Sequence, residues 1–105
     1  MNRESFLQFA IKPKKITVSH FNDVEIYVKP LSYSTATAIG EIEDTVERCV
    51  HILIASVCDE HGVALFTNSE EDIELISSQF TYYAIVEIAG KVSEMTSNTD
   101  SQLVK

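Results

Sequence analysis

From Ile16 the apolar positions alternate with polar ones. Ile16, Val18 and His20 fall on one side, a turn follows at Phe21, Asn22 and Asp23, and Val24, Ile26 and Val28 resume the two-residue period. Alternation on both sides of a short polar turn predicts a β-hairpin. Pro30 closes its second strand. A lone hairpin is marginal in water, so its apolar face has to rest on helices or on another chain's sheet. Ahead of it, Asn2 can cap a short helix or docked arm in which Phe6, Phe9 and Ala10 share a face. Pro13 ends that segment, because the residue before a proline is pushed out of helical geometry.

Beyond Pro30 the period changes to that of a helix. Ser32 or Ser34 can cap a run through Thr35, Ala36, Ile39 and Ile42, weakened at Gly40 by about 1 kcal/mol relative to alanine. From Thr45, the residues Val46, Val50, Leu53, Ile54 and Val57 mark the apolar face of a central helix, with Glu43, Asp44, Glu47 and Arg48 facing water. Asp59 to Gly62 reads as a turn, and Val63 to Phe66 as a short extended piece packed on the core. Asn68 or Ser69 then caps a helix whose first turn holds Glu70, Glu71 and Asp72, where the helix dipole favours negative charge. This helix buries Ile73, Ile76 and Phe80. Ser77 and Ser78 mark a break before a last helix that uses Tyr83, Val86, Gly90 and Val92. From Thr96 the periodicity is lost. The expected fold is α+β, mainly α-helical, with a small N-terminal β-hairpin packed on about three to four helices. Residues 1–97 form one domain and 98–105 a mobile C-terminal tail.

Charge narrows the class of partner. The formal net charge is −8, with five basic and three acidic side chains in residues 1–30 but three basic and thirteen acidic in 31–105. Nucleic-acid affinity requires Lys and Arg gathered on one surface, and Lys12, Lys14 and Lys15 make the one cluster, so no nucleic-acid partner is expected. No run approaches the roughly 20 apolar residues of a membrane span, and Met1 to Phe9 lacks the apolar core of a signal peptide. Cytoplasm is the expected compartment. If Cys49 and Cys58 lie on one helix they stand about 13 Å apart along its axis and cannot form a disulfide; both read as reduced, buried small hydrophobes.

Chemistry is sparse. Cys49, His51, Cys58 and His61 invite a zinc reading, but on one helix Cys49 and His51 point about 200° apart and Cys58 about 180° from Cys49, so four ligands do not converge. No local signature frames a nucleophile beside any of the three histidines. The adjacent carboxylates Glu43 and Asp44, or Glu70 and Glu71, sit on helix exteriors as solvated charge. Gly40, Gly62 and Gly90 are isolated, so there is no phosphate loop. The chain is therefore expected to have no catalytic residues, cofactor or metal, and to act by binding other proteins. Tyr82 and Tyr83 adjoin, so a helix can bury just one of them, and an exposed tyrosine suits a protein contact.

Three stretches carry a resemblance: "VEIYVKPLS" (24–32), leading from a hairpin into a helix; "ILIASVCDEHGVALFT" (52–67), an apolar helix end, an acidic turn with glycine and a Leu-Phe; and "NSEEDIELISSQ" (68–79), an acidic cap and helix. Over about residues 14–95 this order of parts resembles the small tail assembly chaperones of long-tailed phages and prophages. The resemblance implies a non-enzymatic cytoplasmic factor, absent from the mature virion, that holds the tape measure protein soluble until the tail tube polymerises around it. Some members carry a frameshifted extension that engages tail tube protein, and the polar stretch from Asn98 would suit such a junction.

The residues expected to contain the partner contacts are Val24, Ile26, Val28, Leu65, Phe66 and Tyr82, several of them core instead. A hairpin edge could add to a neighbour's strand, and the acidic body would keep the complex soluble. Self-association is left open. The alternative from another class is a structural tail completion or connector component of the particle.

Overall fold

The computed structural model describes residues 2–104, with side chains described through residue 96. Helix α1 (Arg3–Leu7) is capped by the Asn2 side chain, which accepts from the Ser5 N–H at 2.8 Å, and none of its residues is buried. The hairpin follows as β1 (Lys14–Val18) and β2 (Val24–Val28), antiparallel, with Lys14 opposite Val28, Ile16 opposite Ile26 and Val18 opposite Val24. A 3-10 turn, Ser19–Phe21, joins them. Asn22 and Asp23 close the turn with φ of 59° and 61°, the left-handed region that Asn and Asp tolerate better than other non-glycine residues. His20 therefore sits in this turn rather than on the strand face that alternation assigned to it.

Ser32 caps α2 (Tyr33–Gly40), its hydroxyl accepting from the Thr35 N–H at 3.3 Å. Gly40 is the last residue of that helix. The Ile42 carbonyl in the following link accepts from the Arg48 guanidinium through Nε at 3.0 Å and Nη2 at 2.6 Å. Arg48 is thus half-buried and does not simply face water. Asp44 is the N-cap of α3 (Thr45–Ser56), accepting from the Glu47 N–H at 2.9 Å. Val50, Ile52, Leu53, Ile54 and Ser56 are buried along α3, whereas Val46, read as part of the buried stripe, is exposed. The fully buried Ser56 hydroxyl donates to the Ile52 carbonyl at 2.7 Å, which satisfies the one polar group placed in that core.

The central helix stops before Val57. Val57 and Cys58 form a two-residue strand, β3, paired with β2 at Val28 and Tyr27, so the sheet runs β1-β2-β3. Cys49 and Cys58 consequently lie on different elements, and the helical-wheel geometry applied to them above does not hold. Helix α4 (Glu70–Gln79) begins at Ser69, whose hydroxyl accepts from the Asp72 N–H at 3.2 Å. Ser77 and Ser78 do not break it, because their hydroxyls donate to the Ile73 and Leu75 carbonyls at 2.7 and 3.3 Å. The break comes at Phe80 and Thr81, and Thr81 Oγ1 accepts from the Ala84 N–H at 3.2 Å to start α5 (Tyr82–Val104).

The core is formed where α3 and α5 pack together and receive the inner face of the hairpin, with Val18, Val28, Ile76, Ile88 and Val92 at or near zero exposure. On α5 the buried stripe is Ala84, Ile85, Ile88, Ala89 and Val92. This stripe is rotated from the expected one: Tyr83 and Gly90 are exposed and Val86 is half-buried. The mobile tail expected over 98–105 falls on residues whose side chains lie outside the described set.

Candidate protein-binding surface

The connection between β3 and α4 is pinned at both ends. Asp59 Oδ1 accepts from the backbone N–H groups of His61 at 2.8 Å and Val63 at 3.0 Å, and the Asp59 N–H donates to the Val63 carbonyl at 3.0 Å. The bond from Val63 is the chief cause that holds the Asp59 carboxyl below the usual carboxylate range. Gly62, at φ +83°, supplies the left-handed step that closes this turn. Ala64 bridges back to Cys58 and the Leu65 N–H donates to the Val57 carbonyl at 3.3 Å, so the extended piece runs beside β3. At the other end the Thr67 N–H and hydroxyl donate to Asp72 Oδ2 at 2.7 and 3.0 Å. Held this way, the segment leaves Val63 61% and Leu65 57% exposed while Phe66 packs on the core.

Beside Leu65 and Phe66 lies a hollow of about 190 Å³ with an entirely apolar lining. Ile26 enters it from β2, Leu53 from α3, and Phe21 and Phe80 from the hairpin turn and the end of α4, their rings 5.7 Å apart and tilted by 46°. An apolar cavity of about 150 Å³ accommodates a benzene-sized group. The hollow is therefore large enough for one aromatic or branched aliphatic side chain of a partner, with no buried donor or acceptor inside it that would go unmatched.

A second exposed patch surrounds the start of α5. Both tyrosines are outside, Tyr82 at 53% and Tyr83 at 67%, where one of the two was expected to face the core. Their rings meet edge-on at 5.4 Å, and Tyr83 stacks on His20 at 6.1 Å. Glu87, one turn along α5, holds His20 in place. Its carboxylate accepts from the Ser19 and His20 N–H groups at 2.8 and 3.0 Å, from the Ser19 hydroxyl at 2.8 Å, and lies 2.6 Å from His20 Nδ1. These partners, the His20 ring foremost, hold the Glu87 carboxyl far below its ordinary range.

Of the residues singled out from the sequence, Ile26, Leu65 and Phe66 come together at the hollow. Tyr82 belongs to the aromatic patch, and Val24 is exposed at the start of β2. Val28, with no exposed surface, belongs to the core. The expected hairpin edge also changes. The strand that carries Val24, Ile26 and Val28 is the middle one, paired with β1 throughout and with β3 at its end. Of the two outer strands, β3 is bridged to Ala64 at Cys58, and on β1 Lys14 and Lys15 are exposed and the Lys91 ammonium donates to the Thr17 carbonyl, features that discourage strand addition. Phe21 and Phe80 were not among the expected contacts, since Phe21 reads locally as a turn residue and Phe80 as the end of a helical stripe.

Among the described residues no three metal-ligating side chains gather. Cys49 is half-buried on α3 and Cys58 buried on β3, and burial pushes both thiols up, away from the reactive thiolate form. His61 is exposed in the Asp59 turn.

The family profile described as phage tail assembly chaperone matches residues 1–99. The chain belongs to the phage tail assembly chaperone family. Neither the curated proteins nor the solved structures include a significant match. Membership in the tail assembly chaperones points to phage tail proteins as partners, to a non-enzymatic role, and to work done in the host cell while the particle is being assembled. Among the described residues of this tail assembly chaperone no helix is long and apolar enough to cross a membrane.

Proposed function

We propose that this chain binds the tape measure protein, and tail tube subunits with it, and keeps the tape measure protein soluble in the host cytoplasm until the tube polymerises. It catalyses no reaction and is left out of the mature virion. The observation that carries this reading is the apolar hollow with Leu65 exposed at its side, on a chain of net charge −8. An apolar side chain of the partner enters the hollow and adjacent partner residues cover Leu65. The like charge of successive chaperone molecules then keeps the loaded complex from aggregating.

Co-expression of the tagged chain with the tape measure and tube proteins encoded beside it, followed by pull-down, tests the proposal. Recovery of tape measure protein in a soluble complex, together with particles that lack the chain, is the expected result. An insoluble, unbound tape measure protein and a chain retained in purified particles would instead identify a structural tail completion or connector component.

A further inference from the structure

The N-terminal arm is an apolar segment that touches its own chain near Leu31 and Tyr33 but leaves its large side chains exposed. Hydrogen bonds from Gln8, Phe9 and Ala10 N–H groups to the carbonyls three residues earlier extend the turn of α1. Three-residue spacing in this geometry sets Phe6 and Phe9 on one face. Phe6 is 67% and Phe9 76% exposed, and Leu7 and Ile11 are exposed beside them. The arm carries Arg3 and Lys12 against a single acid, Glu4, and Lys14 and Lys15 follow it on β1.

The opposite properties meet in a groove between α2 and α3, about 510 Å³ in volume, which is distinct from the hollow used above although Phe66 borders both. Ala38, Ile42, Ile54 and Ala55 give it an apolar surface. Acids surround it in the chain: Glu41 and Glu43 flank Ile42, Glu47 lies 4.0 Å from the groove residue His51, and Glu70 and Glu71 follow the groove residue Asn68. The groove has room for about three benzene-sized groups by comparison with a cavity that holds one. The arm leaves the body beside Leu31 and Tyr33, next to the groove's end at Ser34.

From this match of apolar face to apolar groove, and of the basic N-terminal stretch to the acids that neighbour the groove residues in the chain, we infer that the protein associates with a second copy of itself by arm exchange. The face carrying Phe6 and Phe9 of each copy docks in the α2–α3 groove of the other. Two identical contacts related by a two-fold axis close the assembly as a dimer. The inference rests on different residues from the tape measure proposal, so each can fail alone.

Sedimentation velocity of the full chain, at low and high salt and over a range of concentrations, tests it. A dimer that loosens with salt is expected. The double variant Phe6→Ser/Phe9→Ser weakens dimerisation at least about a hundredfold through loss of two buried rings from each of the two contacts, and Ala38→Lys, at an exposed groove position, does the same by filling the groove and repelling Arg3 and Lys12 of the arm. Ser34→Lys serves as a second groove variant, and each variant's melting temperature confirms folding. Equal mixing of the arm variant with a groove variant gives a heterodimer weaker than the wild-type dimer but tighter than either variant's homodimer, because one intact arm meets one intact groove. A wild type that stays monomeric overturns the inference, as does a dimer that survives both variants, or a mixture that pairs no better than either variant alone.

Discussion

The Glu87 carboxylate on α5 stands 2.6 Å from His20 Nδ1 in the hairpin turn, and through this contact the hairpin is tied to the last helix across 67 residues of chain. Lys91, one turn further, places its ammonium 3.2 Å from the other carboxylate oxygen. Because the folded state depresses the Glu87 pKa, its contribution to stability is complete above the ordinary value of 4.5 and is lost as pH falls toward the folded value. Glu87→Gln should therefore lower the melting temperature at neutral pH, with the gap between variant and wild type closing below about pH 4. Thermal melts across this range check the sign; a gap that widens in acid would contradict it.

Val28 and Leu65 should separate core from surface. Val28→Ala removes two methyl groups from a fully buried site and should cost about 2 kcal/mol including the cavity left behind. Leu65→Ala, at a site more than half exposed, should stay within about 0.5 kcal/mol. Urea unfolding midpoints at constant slope measure both.

Tyr82→Ala should weaken partner binding while costing at most about 1.5 kcal/mol, the worth of its edge-on pairing with Tyr83. A calorimetric scan showing a loss well beyond this would place Tyr82 in the core.

Gly62→Ala should destabilise the fold by about 1–2 kcal/mol, the cost of the left-handed region to an L-residue. Steric contact adds little, since a Cβ there would lie 3.5 Å from Pro13 Cδ. Gly62→Asn should recover part of the loss, and the ordering of the two variants in chemical denaturation is the check.

These predictions draw on parts of the fold that were unequally legible in the sequence. The hairpin and the starts of α2 and α4 could be read locally because Ser32 and Ser69 announce caps and the strands alternate. The strand at Val57 and Cys58 could not, because a two-residue strand is defined by its pairing with Tyr27 and Val28, about 30 residues away. The α5 stripe was misplaced since Tyr83 is apolar enough to join a helical pattern, and burial is decided by the packing of α5 on α3. The same non-locality hid half of the candidate surface. Leu65 and Phe66 stood out as an apolar pair after a turn, but nothing local to Phe21 or Phe80 shows that their rings line one hollow.

The most direct test of the central claim is the soluble fraction of tape measure protein co-expressed with wild type and with Leu65→Asp, both folded by circular dichroism. Soluble tape measure protein is expected with the wild type and a marked loss with Leu65→Asp, because a carboxylate at the side of the apolar hollow cannot be buried without cost. Equal solubility with both chains would place the binding surface elsewhere, and an insoluble tape measure protein with the wild type would contradict the chaperone role itself.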